Sequence, residues 1–221
     1  MTVAIIIPAF NEQDTIGSVC KENGKYGKLV VVNDGSDDLT GQFANDCGAE
    51  VVYHVKNLGY DQAIYTGLTW AINAGYRYAV TTDADGQIPS EAVHKAVCAL
   101  KNGADLVVGR RQAYQRWSEY IFSLLSRLIW GIKDPLCGLK GYKLAQIDKT
   151  HLLPKYDSVG TFFMVDIIRS QTQNIYQFDV FVTPRQSVSR FGKSLSAEIK
   201  ILRAMLGGIL TSLRTYKARG N

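Results

Sequence analysis

The most constraining feature of this sequence is a rhythm in its first half: short runs of β-branched apolar residues, each closed by a burst of polar ones. Residues 3–7, 29–32, 51–53, 78–82 and 106–108 have the length and composition of strands. Between them lie helical segments that begin near Glu12, Asp38, Asp61 and Ser90, the last with Pro89 before it and Gly103 as its stop. Strands that are apolar throughout are buried on both faces. The alternation therefore predicts an α/β fold, a mostly parallel sheet flanked by helices. At 221 residues, 46% of them hydrophobic, the chain can bury one sizeable core. The second half is less regular. It predicts a helix over 117–130, an extended piece at 139–142, a helix near 162–173, a strand over 178–183 and a long C-terminal helix. Residues 1–194 read as one domain and 195–221 as a basic amphipathic helix and tail.

Ligands of open α/β sheets bind outside the carboxyl ends of the strands. Four polar clusters are expected there: Pro8-Ala9-Phe10-Asn11-Glu12, Asn33-Asp34-Gly35-Ser36-Asp37-Asp38, Asp83-Ala84-Asp85-Gly86-Gln87 and Gly109-Arg110-Arg111. One would be an ordinary loop; four at one edge define a site. Asp83 and Asp85 are the sharpest signal, because two carboxylates two residues apart repel unless a cation lies between them. An oxygen-only set suits a hard divalent ion, Mg²⁺ or Mn²⁺, that also grips a diphosphate, with Gln87 as a further amide oxygen. An isolated Asp-x-Asp is most often an exposed acidic turn, and its place beside Asp34 argues against that here. Asp34-Gly35-Ser36 reads both as a helix-capping turn and as a ligand site, and the two roles are compatible. Pro8 and Phe10 are either core residues or the floor of a nucleobase pocket.

Charge divides the chain. Residues 1–109 hold 7 Lys and Arg against 13 Asp and Glu, a net of −6; residues 110–221 hold 18 against 7, a net of +11. The whole-chain +5 is a near-cancellation, and it implies two kinds of ligand or surface. A nucleic-acid-binding module would leave the acidic cluster without a role, so no nucleic acid is expected. The first loop also lacks the Gly-x-Gly-x-x-Gly of a dinucleotide dehydrogenase and the Gly-rich basic loop of a nucleotidyltransferase. Cys20, Cys47, Cys98 and Cys137 form no Cys-x-x-Cys pair, which reads as reduced thiols in a cytosolic compartment. The N-terminus has no signal-peptide pattern, and no stretch reaches the roughly 18–20 uninterrupted apolar residues of a membrane span. His54, His94 and His151 fall in no constellation.

The ordered set of residues 8–12, 30–36, Lys56-Asn57-Leu58-Gly59, 81–87 and 107–111 resembles the inverting family-2 glycosyltransferases of the GT-A fold, over about residues 3–195. Asp134-Pro135-Leu136-Cys137-Gly138-Leu139-Lys140 resembles the polyprenyl-phosphate branch, which includes dolichyl-phosphate mannose synthases and glucosyltransferases. The resemblance implies metal-dependent transfer of a hexose from a GDP-mannose or UDP-glucose type of donor to a polyprenyl phosphate. It implies Glu12 and Asp34 on the nucleoside, Asp83, Asp85 and Gln87 on the metal, and Arg110 and Arg111 on the acceptor. Pro8, Phe10, Gly35, Ser36 and Asp83 complete the expected nucleotide pocket. Branch members carry further arginines in the helix that here reads Arg116-Trp117-Ser118-Glu119-Tyr120, so this chain departs from them there.

A lipid phosphate needs no general base, because with a second pKa near ~6 it is largely dianionic at pH 7. It needs cationic positioning, which arginine forks supply. Arg110, Arg111, Arg116, Arg127, Arg190, Lys193 and Ser194 are the expected acceptor set, with Asp85 and Arg110 closest to the chemistry. With a saccharide hydroxyl as acceptor, as in surface-polysaccharide synthesis, Asp134 is the expected base. In the C-terminal helix Leu195, Ile199, Leu202, Leu206, Ile209 and Leu213 form an apolar stripe flanked by Lys200, Arg203, Arg214, Lys217 and Arg219. Such a stripe packs on a core, lies in an anionic membrane interface, or docks on a membrane-embedded partner or a second copy of the chain. The expected location is peripheral, at the cytoplasmic face of a membrane.

Overall fold

Strand β1 (Val3–Ala9) is buried at every residue and forms the axis of a seven-stranded sheet. The computed structural model describes residues 2–114, 116–147, 159–169, 174–183, 198, 201–203, 205–207 and 209. On one side β1 pairs with β2 (Lys28–Asn33), which pairs with β3 (Glu50–Tyr53). On the other side follow β4 (Tyr78–Thr81), β6 (Lys140–Lys143), β5 (Leu106–Arg111) and β7 (Ile175–Val180). Every pairing is parallel except those of β6, which runs antiparallel to β4 and β5.

Alternate residues of β1 feed two cores, as the period-two pleat requires. Val3, Ile5 and Ile7 pack with α1 (Gln13–Asn23), α2 (Thr40–Asp46) and α4 (Ser90–Lys101), while Ala4 and Ile6 pack with α3 (Tyr60–Asn73), α5 (Trp117–Trp130) and α6 (Val159–Arg169). The architecture is the α/β sheet expected from the alternation.

Local boundaries differ in informative ways. Gly109, Arg110 and Arg111 lie inside β5 rather than after it, because β7 pairs with them. That strand begins at Ile175, three residues before the expected start, and ends at Val180. Pro8 sits in a central strand, where a missing N–H would normally break a ladder. Ile6 accepts from the Thr82 N–H at 3.0 Å, and Pro8 faces the same neighbour two residues on, where β4 no longer pairs.

One helix departs from ordinary amphipathic packing. In α5 the inward residues include Ser118, Glu119 and Ser126, while Trp117 is 59% exposed, Tyr120 62%, Leu124 50% and Leu128 74%. Phe122 and Trp130 are buried with them, so the helix is apolar on its outward face as well as its inward one, unlike a solvated helix. In the C-terminal segment Ile201, Leu202, Met205 and Ile209 pack on the second core, and Leu206 is exposed. Among the stripe residues described there, Leu202 and Ile209 thus serve packing. Most of 195–221, and the boundary at 194, lie outside the described residues. Among the described residues no helix is long and apolar enough to cross a membrane.

Candidate functional site

The order of strands reverses between β1 and β4, and the crevice at their carboxyl ends is the switch point where such sheets bind ligands. The loops that leave β1 and β2 interlock beside it. Asn11 adopts a left-handed φ of 52°, a region Asn tolerates better than most residues. Its N–H donates to Ser36 Oγ at 2.9 Å and its Oδ1 accepts from the Asp37 N–H at 2.9 Å. The Glu12 N–H donates to Thr40 Oγ1 at 2.7 Å, and the buried Glu12 carboxylate accepts from the Thr15 hydroxyl at 3.2 Å. Phe10 is half-buried and Pro8 buried at the same edge. Gly35 has a φ of 71°, and a Cβ there would stand 2.4 Å from the Lys56 carbonyl carbon, so only glycine fits.

Asp34 is 3% exposed, and three donors from the chain converge on its carboxylate. The Leu58 N–H reaches Oδ1 at 2.9 Å, the Gly59 N–H reaches Oδ2 at 2.8 Å, and His54 Nδ1 lies 2.7 Å from Oδ1. Of about four lone-pair directions on a carboxylate, three are filled internally. His54, expected to stand in no constellation, is therefore a partner of this acid. The signal that would have found it is the strand-end rule itself, since His54 follows β3 at the same sheet edge. A cavity of about 250 Å³ opens beside it, lined by Asn33, Gly35, Ser36, Asp38, Tyr53 and His54 among others.

Asp83 and Asp85 follow β4. Tyr60, at the start of α3, donates its hydroxyl to Asp83 Oδ1 at 3.1 Å. A Cβ at Gly138 would meet the Asp83 carboxylate at 2.2 Å, and the Thr81 hydroxyl holds the Gly138 carbonyl at 2.8 Å. Desolvation, then the Asp85 charge, push Asp83 up to about 6, while the Tyr60 hydroxyl and the Lys140 charge pull the other way. Lys140 is buried, which lowers its pKa, and its Nζ donates to the Cys137 carbonyl at 2.6 Å. Asp85 Oδ1 accepts from the Gln87 N–H at 3.0 Å.

The Gln87 side-chain amide donates to the Thr183 carbonyl at 3.0 Å, and the Thr183 N–H returns to the Gln87 carbonyl at 3.0 Å. The chain after β7 is thereby pinned beside the Asp-x-Asp loop. Among the described residues no group of three His, Cys, Asp or Glu is assembled to hold a metal. Two mutually repelling carboxylates fit a hard divalent cation that takes its other ligands from a diphosphate and water.

Three of the expected acceptor cations, Arg110, Arg111 and Arg116, are engaged with carboxylates. Arg110 pairs across the strands with Asp179, its Nη2 2.6 Å from Oδ2, on the exposed edge. Arg111 donates to both oxygens of Asp134, from Nε at 2.8 Å and Nη2 at 3.0 Å, and lies 3.2 Å from Glu119 Oε2. Arg116 lies 3.2 Å from Glu119 Oε1, and Arg127 is exposed on α5. Asp134, expected as a base for a hydroxyl acceptor, is 1% exposed and turned inward on Arg111. Arg190, Lys193 and Ser194 lie outside the described residues. Asp179 and Tyr60 are not legible as partners because their contacts cross elements far apart in sequence, whereas the i,i+3 spacing of Arg116 and Glu119 is a signal the sequence carries.

Residues 4–150 match the family model described as Glycosyl transferase family 2. An uncharacterised protein of Methanocaldococcus jannaschii is 38% identical over 112 residues, covering 49% of this chain and 46% of the relative. A polyprenol monophosphomannose synthase of Mycolicibacterium smegmatis is 28% identical over 74% of this chain and 69% of its own length. A dolichol-phosphate mannosyltransferase of Pyrococcus furiosus is 28% identical over 76% of this chain and 52% of its own. The chain thus spans about half the length of two of these three relatives. The solved glucosyl-3-phosphoglycerate synthase of Mycobacterium tuberculosis, in complex with Mn²⁺ and UDP-glucose, superposes with a TM-score of 0.75. It is 20% identical and covers 94% of this chain and 78% of that one, a likeness of fold.

Proposed function

The chain belongs to glycosyl transferase family 2, and from that premise we propose that it transfers a hexose from a nucleoside-diphosphate sugar to a polyprenyl phosphate. The observation that carries the donor half is the opposed pair Asp83 and Asp85 at the switch point, beside the anchored Asp34. Glu12, Asp34, Pro8, Phe10, Gly35 and Ser36 frame the nucleoside end. Asp83, Asp85 and Gln87 frame the end that would hold Mg²⁺ or Mn²⁺. When bound, such a cation stabilises the charge that develops on a departing diphosphate.

The acceptor half is supported by the polyprenyl-phosphate activities for which the mycobacterial and archaeal relatives are named. A dianionic lipid phosphate attacks the anomeric carbon directly, and the single displacement inverts it. The task left to the chain is positioning by cations. Arg110, Arg111, Arg116 and Arg127, with Arg190, Lys193 and Ser194 beyond Thr183, are the candidates. Arg111 and Arg116 are already oriented by Asp134 and Glu119. The hydroxyl-acceptor reading needs a base, and Asp134 is held by Arg111. Membrane contact is assigned to α5, whose outward aromatic and aliphatic residues suit the interface of a bilayer.

The test is a calorimetric panel of GDP, UDP, GDP-mannose and UDP-glucose, each with and without Mn²⁺. Cation-dependent binding of one nucleotide pair, abolished in Asp85→Ala, is the expected result. Absence of cation-dependent binding throughout the panel defeats the donor site.

A further inference from the structure

We infer that the segment from His54 to Tyr60 is a mechanical coupling between the two ends of the donor site, with His54 and Tyr60 as its positioning residues. The inference rests on the reading that Asp34 serves the nucleoside end and Asp83 the cation end. His54 closes the β3 ladder through its N–H to the Asn33 carbonyl at 2.9 Å. Its ring bridges Asp34 Oδ1 at 2.7 Å to Thr66 Oγ1 of α3 at 2.9 Å. Gly59, with a φ of 95°, lets its own N–H and that of Leu58 reach the same Asp34 carboxylate. The next residue, Tyr60, opens α3 and donates its hydroxyl to Asp83 Oδ1 at 3.1 Å.

A segment of seven residues therefore reaches both acids, Asp34 through His54, Leu58 and Gly59 and Asp83 through Tyr60. The segment is short, and the Lys56 backbone seats against Gly35 with no room for a Cβ. A displacement at one acid is passed along it to the other. A nucleoside that orders Asp34 orders Tyr60, and the Tyr60 hydroxyl holds the Asp83 carboxylate in the orientation that would meet a cation. Coupling of this kind is reciprocal: what the cation does for the nucleoside, the nucleoside does for the cation.

A nucleoside without phosphates has nothing to offer the cation directly, so any linkage between them passes through the protein. Mn²⁺ is titrated alone, uridine and guanosine alone, and each nucleoside at saturating Mn²⁺, by calorimetry on the full chain. In the wild type Mn²⁺ is expected to tighten one nucleoside by about fivefold. Tyr60→Phe keeps the ring and removes the donor; it is expected to weaken Mn²⁺ by about tenfold and bring the linkage to near one. His54→Ala, remote from Asp83, is expected to weaken Mn²⁺ as well, with His54→Gln restoring part of the loss. Should His54→Ala not fold by circular dichroism, Tyr60→Phe with His54→Gln decides. Unchanged linkage in Tyr60→Phe, or variants that each affect only their own end, overturns the coupling. Wild-type protein that binds UDP or GDP with Mn²⁺ yet shows no nucleoside linkage overturns the coupling alone. Absence of all nucleotide and Mn²⁺ binding overturns the donor site with it.

Discussion

Arg111 grips Asp134 at two points, from Nε at 2.8 Å and from Nη2 at 3.0 Å, and its own backbone N–H adds a third bond at 3.0 Å. Asp134 is 1% exposed, so this pair lives largely out of water. Breaking one side of a buried pair leaves an uncompensated charge, whereas replacing both with apolar groups is far milder. Asp134→Ala is therefore expected to cost about 3 kcal/mol of stability, on the scale of broken buried pairs. The double variant Arg111→Met with Asp134→Leu is expected to recover most of it. Urea denaturation followed by circular dichroism reads both, and equal losses in the two variants would contradict the pair's isolation from water.

Asp83 predicts a pH dependence of opposite sign to that of an ordinary paired carboxylate. Its pKa stands at about 6 in the fold against 3.8 in the open chain. The folded state therefore holds the proton more tightly. Folding is unpenalised below about pH 4, and the charged form costs stability as pH rises through about 6. Asp83→Asn is expected to raise the melting temperature by about 2–6 °C at pH 8 without added cation, and not at all at pH 4. Scanning calorimetry at the two pH values tests it; an equal gain at both would remove the electrostatic cause.

The outward face of α5 predicts a surface effect without a folding effect. Leu124 and Leu128 are 50% and 74% exposed, so Leu124→Glu with Leu128→Glu is expected to shift stability by no more than about 0.5 kcal/mol per site. Binding to vesicles containing anionic lipid is expected to fall at least tenfold, since both apolar area and charge attraction are lost. Sedimentation with vesicles measures this; retained binding would direct attention to another surface.

Period and composition made much of the fold legible. The five apolar runs of the first half all became strands, and Trp117–Trp130 became a helix with those ends. Runs buried on both faces and alternating with helices favour a mostly parallel sheet covered on both sides. The strand-end rule likewise brought Asp34, Asp83 and Asp85 to one edge. The same rule applied to β3 would have added His54. Local sequence leaves Arg110 and Arg111 looking like loop residues, because their strand partners, Asp179 and Val180 of β7, lie far along the chain.

From the sequence alone came an acidic cluster at the carboxyl ends of the strands and a basic half beyond it, because local periodicity and strand-end chemistry are carried by neighbours in the chain. Which of those charges are spoken for was decided only in three dimensions. Asp134 turns from base to strap for Arg111, Arg110 faces Asp179, and Tyr60 reaches Asp83. Among the described residues α5 turns several large apolar side chains to solvent, while Leu202 and Ile209 of the C-terminal stripe turn to the core. Each of these depends on contacts between segments more than 20 residues apart, where a side chain's partner is set by packing rather than by spacing.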